Sequence, residues 1–389
     1  MTRIFARKCG SYNQEEVSKN ITSLLTSMGG AASFIKPGQR VLLKPNMLSC
    51  KSPDHAATTH PAVVEAVAKA FIEAGAEVII GDSPPAVFGR TDQYWEKTGF
   101  ARAAANSGAT LQCFETAEKQ AIEFETNGKR LSTHIVKTFF EADLVVNLPK
   151  LKTHNLTRIT AAVKNLFGLV PGLQKALWHK VFPKSLEFSN FMTDLAHKLP
   201  TAITILDAVE GMEGQGPAGG NRIFPGFILA ATCPVAIDRA ICAIANLDEN
   251  SVAMLRRARE LNWGPASASE LVFEGAKIDE IAIKDFKVPS APIQDRIPDL
   301  LLNNLKKLVW AGPALKPGKC IKCGRCKEIC PVDAIGITQT EAVFDRKKCI
   351  SCFCCMEVCP VDAIIAEKSP LLNLAMRIRN LAKIIKGRR

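Results

Sequence analysis

The sequence predicts a large α/β domain, doubly wound around a mostly parallel sheet. A small cysteine-rich α+β module and a C-terminal amphipathic helix follow it. Three observations predict this. Between residues 40 and 300, short apolar runs alternate with segments of helical periodicity, as in sheets covered on both faces. Nine of the fourteen cysteines fall between Cys320 and Cys359. The last twenty residues, from Pro370, hold six basic side chains and no acidic one.

The elements follow in order. Arg40 to Pro45 (RVLLKP) reads as a strand. Pro61 to Ala74 reads as a helix, with Pro61 in its first turn and Gly75 at its end. Glu77 to Gly81 is the next strand. A helix over Asp92 to Ala105, a strand near Thr110 and a hairpin from Ala121 to Val136 about Asn127-Gly128 come next. Asp143 to Leu148, Ala202 to Leu206 and Phe227 to Ala231 are continuous apolar strands. Pro234 to Ala245 and Ser251 to Leu261 have helical spacing. Five prolines and an amphipathic stretch, Asp299 to Trp310, mark a connector. The expected units are therefore an α/β domain over 1–288, a connector over 289–317, a module over 318–366 and a basic tail over 367–389.

The chain of 389 residues is too long for one core. It has no apolar run of membrane-spanning length. Its mixed, charged start, Met1 to Gly10, lacks a secretory core, so a cytoplasmic location is expected. The net charge is +12, but half of it sits in the tail, and aromatic residues make up only 6%. Those facts argue against nucleic acid. They favour a local contact of the tail with an acidic partner or a membrane surface.

The clustered cysteines form two runs. Cys320, Cys323, Cys326 and Cys330 precede Pro331, and Cys349, Cys352, Cys355 and Cys359 precede Pro360. Each is C-x-x-C-x-x-C-x-x-x-C-P, the bacterial two-cluster ferredoxin pattern, in which the fourth cysteine serves the other cube. One 4Fe–4S cluster would then take Cys320, Cys323, Cys326 and Cys359, and the other Cys349, Cys352, Cys355 and Cys330. Pro-Val-Asp-Ala-Ile follows both runs, so the module is an internal repeat. Zinc prefers two separated ligand pairs and needs no trailing Cys-Pro.

Polar segments sit where strands should end: KPN at Lys44 to Asn46, GDSP at Gly81 to Pro84, LPKLKTH at Leu148 to His154, VKNLFG at Val163 to Gly168 and MEGQGP at Met212 to Pro217. Ligands of open α/β sheets bind beyond the carboxyl ends of strands. Lys150, Lys152, His154 and Lys164 are thus candidates to bind anionic groups or supply protons. Lys44, Asn46, Asp82, Ser83, Asn165 and Glu213 are candidate binding residues for a further cofactor. The plainer readings are a solvated loop for Lys150 to His154 and capping roles for Asp82 and Ser83. Gly214 to Gly219 fits G-x-G-x-x-G, but no helix follows it directly, against a dinucleotide site.

These segments, in this order and joined to a two-cluster module, resemble the domain-of-unknown-function 362 family over about residues 38–285. The resemblance implies an α/β domain fused to an iron–sulfur module, and redox chemistry without a settled substrate. Cys233 stands where the family segment more usually has an aspartate.

Leu371, Leu374, Ala375, Ile378, Leu381, Ala382 and Ile385 share one helical face, with basic residues off it. Two functions follow. One is an iron–sulfur oxidoreductase passing electrons to a small-molecule substrate or second cofactor in the α/β cleft. The other is a non-enzymatic carrier or adaptor that docks a redox partner protein or assists cofactor or metal delivery.

Overall fold

The computed structural model describes residues 1–84, 91–289 and 310–374. The α/β domain opens with β1 (Thr2–Lys8), α1 (Gln14–Ser27), β2 (Arg40–Pro45), α2 (Pro61–Glu73), β3 (Glu77–Asp82), α3 (Thr91–Thr98), α4 (Phe100–Ser107) and β4 (Thr110–Cys113). A separate hairpin, β5 (Lys119–Thr126) and β6 (Lys129–Val136), follows, then α5 (Thr138–Glu141), β7 (Leu144–Leu148), β8 (Lys150–His154) and β9 (Arg158–Thr160). The rest is α6 (Ala162–Asn165), α7 (Gln174–Val181), α8 (Ser185–His197), β10 (Ile203–Glu213), β11 (Asn221–Ile223), β12 (Phe227–Ala231), α9 (Pro234–Ile244), α10 (Ala253–Glu260) and β13 (Leu271–Gly275).

The main sheet runs β13-β1-β12-β10-β7-β2-β3-β4. It is mostly parallel; β12 runs antiparallel to both of its neighbours. Successive side chains of a strand point to opposite faces. Val41 and Leu43 pack with Val17, Ile21, Val67 and Phe71 of α1 and α2. Leu42, between them, packs with Phe188 and Phe191 of α8. Leu206 and Leu229 meet Ile237 and Ile241 of α9. The sheet is therefore covered on both faces, and each fully buried Phe or Leu contributes about 1.5–3 kcal/mol. Helix α1 starts at Asn13, whose side chain accepts from the Glu15 and Glu16 amides.

Several elements differ from expectation. The helix over 92–105 is two helices, because Gly99 between them has φ 80°, and a Cβ there would lie 3.0 Å from the Pro61 ring. Residues 150–154 are a strand, β8, buried throughout and paired with β10 and β9. Strand β10 runs on to Glu213, well past Leu206. Gly211 to Glu213 are thus strand residues paired with β11. Elements β1, α1, α7 and α8 are additions to the expected set. The hairpin turn matches, with Asn127 and Gly128 both at positive φ. Cys233 sits at the N-cap of α9 and makes no capping hydrogen bond.

The module contains β14 (Ala311–Leu315), α11 (Arg325–Glu328), β15 (Ile335–Ile337), β16 (Ala342–Phe344), α12 (Cys354–Glu357) and β17 (Ile364–Lys368). Strand β14 pairs antiparallel with β17, and β15 with β16. Strand β14 lies within the expected connector and pairs with the last strand of the module. Pro313 is tolerated because a two-stranded sheet has only edges. The amphipathic stretch from Asp299 up to residue 309, and the tail from Ala375, lie outside the described residues. Of the expected tail stripe, Leu371 and Leu374 are exposed, and Leu372 between them is buried.

Candidate functional site

Strands β2, β3 and β7 are parallel neighbours, so their carboxyl ends share one edge of the sheet. A cleft of about 720 Å³ opens there. Lys44, Asp82, Lys152, Lys164, Lys175 and Glu357 are its charged lining, together with His179. Four ammonium groups thus face two carboxylates, so the cleft favours anions. Glu357 belongs to the module, and so do Ile329 and Cys354 on the same wall.

Most of the polar groups are held in place. Lys44 Nζ lies 2.7 Å from Asp82 Oδ1 in a nearly fully buried pair. The other Asp82 oxygen accepts from the Met47 amide at 2.6 Å. Lys152 Nζ donates to Asn46 Oδ1 at 2.6 Å and to the Ala57 carbonyl at 2.7 Å. Asn46 in turn donates to Asn165 Oδ1 at 3.0 Å, and Asn165 donates to Asn147 Oδ1 at 2.8 Å. Lys175 Nζ donates to Ser83 Oγ at 2.7 Å, and Ser83 Oγ donates to Glu115. Lys164 differs. Among the described residues it has no hydrogen bond or close ion pair, and its charge feels Glu357 and Cys354. Burial pushes the ammonium groups of Lys44, Lys164 and Lys175 down, and that of Lys152 well down.

His154 lies beneath this layer, wholly buried. Its Nδ1 accepts from the Leu156 amide at 3.1 Å. The ring proton therefore belongs on Nε2, which lies 3.6 Å from Glu357 Oε1. Burial lowers the imidazole to about 4, so it is neutral near pH 7. Burial raises the Glu357 carboxyl, but His154 and the Lys164 charge outweigh it and hold the group at about 2. His179 stacks on Phe188 with centroids 4.0 Å apart, and burial lowers it to about 3. A second clasp joins the two units: Lys51, nearly fully buried, pairs with Asp362 and donates to the Ala218 carbonyl at 3.1 Å.

One glycine is required here. A Cβ on Gly168 would lie 2.5 Å from Lys44 Nζ and 2.6 Å from Asp82 Oδ1. Gly168→Ala should therefore separate the pair and cost about 1–3 kcal/mol. Urea unfolding followed by tryptophan fluorescence checks this, and an unchanged midpoint would contradict the assigned role.

Two further cavities occupy the module. Cys320, Cys323, Cys326 and Cys359 line one of about 350 Å³. Cys330, Cys349, Cys352 and Cys355 line one of about 330 Å³. Each set draws its fourth cysteine from the other run. Four soft thiolates around one cavity fit the donor set of an iron–sulfur cube. Cys354 lines both the second cavity and the α/β cleft.

Of the predicted residues, the structure brings Lys44, Asn46, Asp82, Ser83, Lys152, Lys164 and Asn165 together in the cleft wall. His154 stands one layer back. Lys150 and Glu213 are elsewhere. Lys150 is paired with Asp207 at 2.9 Å, away from the cleft, in a buried cluster with Tyr12 and His60. Glu213 accepts from the Lys287 amide at 2.9 Å and fixes that segment to the end of β10. Sequence reasoning missed Lys175, Glu115 and Glu357. Nothing local marks them, because their partners come from distant segments.

Fold and site together define a class: an α/β domain with a lysine-rich cleft, built onto a ferredoxin-type 4Fe–4S module. A family model described as "Domain of unknown function (DUF362)" matches residues 41–243. One described as "4Fe-4S dicluster domain" matches residues 319–363. The chain belongs to the DUF362 family. It is 33% identical over 307 residues to a thylakoid-associated protein of Synechocystis sp., covering 76% of this chain and 91% of that protein. Two solved structures have lower similarity. A Thermotoga maritima protein matches at 11% identity and TM-score 0.37, over 57% of this chain and 56% of that one. The lactate racemase apoprotein of Thermoanaerobacterium thermosaccharolyticum matches at 14% and 0.35, over 52% and 50%. The chain thus spans about half the length of each. No helix among the described residues is long and apolar enough to cross a membrane.

Proposed function

We propose that this protein is an iron–sulfur oxidoreductase whose module passes electrons to an anionic substrate, or to a second cofactor, in the α/β cleft. Cys320, Cys323, Cys326 and Cys359 would hold one 4Fe–4S cluster, and Cys330, Cys349, Cys352 and Cys355 the other. When bound, the clusters supply single electrons at tuned potentials. The observation that carries the reading is the position of Cys354, which separates the second cysteine cavity from the cleft by one side chain.

The cleft residues divide the remaining work. Lys44 is neutralised by Asp82 and shapes the floor. Lys152, held by Asn46 and a carbonyl, presents a nitrogen fixed in position at the cleft wall. Lys164 is free to donate to an oxyanion, and its burial-lowered pKa eases delivery of a proton. His154 keeps its proton on Nε2, which faces Glu357 of the module wall across 3.6 Å.

The test uses full-length protein purified without oxygen and reduced with dithionite. Reoxidation of its iron–sulfur signal is followed with a panel of small carboxylates and oxo acids. One of these should accelerate reoxidation. Lys164→Met should retain iron and lose about 10- to 100-fold of that acceleration, the worth of one charge-assisted hydrogen bond. No acceleration by any acceptor, or equal acceleration in the variant, would sink the reading.

One observation favours a second reading, that of a carrier docking a partner over the cleft. Leu173, Leu177 and Val181, four residues apart along and just before α7, are about half exposed. Reoxidation by a partner protein but by no small molecule would select this alternative.

A further inference from the structure

The two halves of the module's internal repeat carry different chemistry. Aligning Cys320 with Cys349 pairs Lys322 with Ser351, Arg325 with Cys354 and Lys327 with Met356. The second half has lost those three basic residues and turned toward the α/β domain. Cys354 and Met356 are buried there, and Glu357 lines the cleft. The first half reaches the cleft through Ile329 but exposes its cysteine loop. From Lys316 to Lys327 it holds five basic residues and no acidic one. Ile321 is 56% exposed and Val361 37%, and both line the cavity of the first cysteine set. Cys323, a member of that set, is itself exposed. An apolar centre with a mostly basic rim, here with Glu328 as its exposed acidic member, is the layout of a transient protein interface.

We propose that this corner is the docking surface for a small acidic electron-carrier protein, which delivers electrons to the first cysteine set. The inference rests on the reading that this set holds a cluster. Each step is balanced: the carrier loses one electron, the cluster gains it, and no proton or group is transferred. Ile321 and Val361 would form the dry centre of the contact, directly over the cavity. Lys319, Lys322, Arg325 and Lys327 would steer the approach of an acidic surface.

The experiment uses the full-length, iron-loaded protein and a plant-type two-iron ferredoxin as the acidic probe. Lys319→Glu/Lys327→Glu is compared with Lys119→Glu/Lys129→Glu on the distant hairpin, which changes net charge equally. Binding is measured by calorimetry across a salt series, and cluster reduction by stopped flow. Wild-type affinity should fall steeply with salt. The first variant should bind about tenfold more weakly and be reduced correspondingly more slowly by the carrier. Its iron content and its reduction by dithionite should not change, and the hairpin variant should behave as wild type. Equal losses in both variants, unchanged binding in the first, or equal affinity for basic cytochrome c would overturn the proposal. So would binding of the corner to vesicles of anionic lipid but not to the ferredoxin. Failure here leaves dithionite-driven delivery to the cleft intact, so it is distinguishable from failure of the enzyme reading.

Discussion

Replacing Lys150 by methionine is expected to destabilise the α/β domain by about 3–5 kcal/mol, the range for breaking a buried ion pair by removing one partner. The Lys150 and Asp207 side chains are 1% and 0% exposed, with Nζ and Oδ2 2.9 Å apart. Asp207 also accepts from Tyr12 Oη at 2.7 Å and from the His60 amide at 2.8 Å. Tyr12 stacks on His60 with centroids 3.5 Å apart. The cluster joins the segment after β1, the start of α2, and strands β8 and β10. Lysine there compensates a carboxylate that water cannot reach. Without it Asp207 stays buried with only neutral donors. Replacing both residues by apolar ones of similar volume should recover much of the loss, as buried pairs often allow. Denaturant unfolding of the single and double variants checks this. A single-variant loss below about 1 kcal/mol would show that the pair contributes little.

Asp238 governs a second large effect. It is wholly buried on α9, and its oxygens accept from the Ala162 amide at 2.7 Å and the Val163 amide at 3.2 Å. Those amides open α6, the turn that carries Lys164 and Asn165. Asp238→Ala leaves both donors unpaired in the interior and should cost about 2–4 kcal/mol. The cleft should fail with it. A pH signature separates this from mere loss of packing. Burial outweighs the two amide bonds and raises the Asp238 carboxyl to about 7. In the unfolded chain it titrates near 4. The folded state therefore holds this proton more tightly. Its contribution is fully present below about pH 4 and falls as pH rises to about 7, by a few kcal/mol in all. Asp238→Asn should abolish that slope, so its disadvantage relative to wild type should narrow from pH 5.5 to pH 8. Parallel stability curves for the two proteins would refute the assignment.

What could be read from the sequence follows from how far apart the interacting residues lie. The cysteine runs were legible because four-ligand spacing is local and doubled. Strands β2, β3, β7 and β12 were legible because burial on both faces writes an unbroken apolar run. Strand β8 was not, since Lys150, Lys152 and His154 look like a solvated loop. They can be buried only because Asp207 and Asn46, 57 and 106 residues away, meet their charges. Most of the cleft was foreseen, because polar segments at strand ends converge in an open sheet. Lys150 and Glu213 carried the same signal for a structural reason. Glu357 had no signal at all: it looks like a surface residue of the second cysteine run until the module is seated on His154.

On the proposed function, the clasp of Lys51 on Asp362, with Glu357 lodged beside His154 and Lys164, would fix the kinetic order of electron transfer between the two units. A tethered donor and acceptor react in a first-order step, with a half-life indifferent to dilution and little affected by the ionic strength of the medium. An encounter at the proposed docking corner of the module would be second-order and sensitive to both.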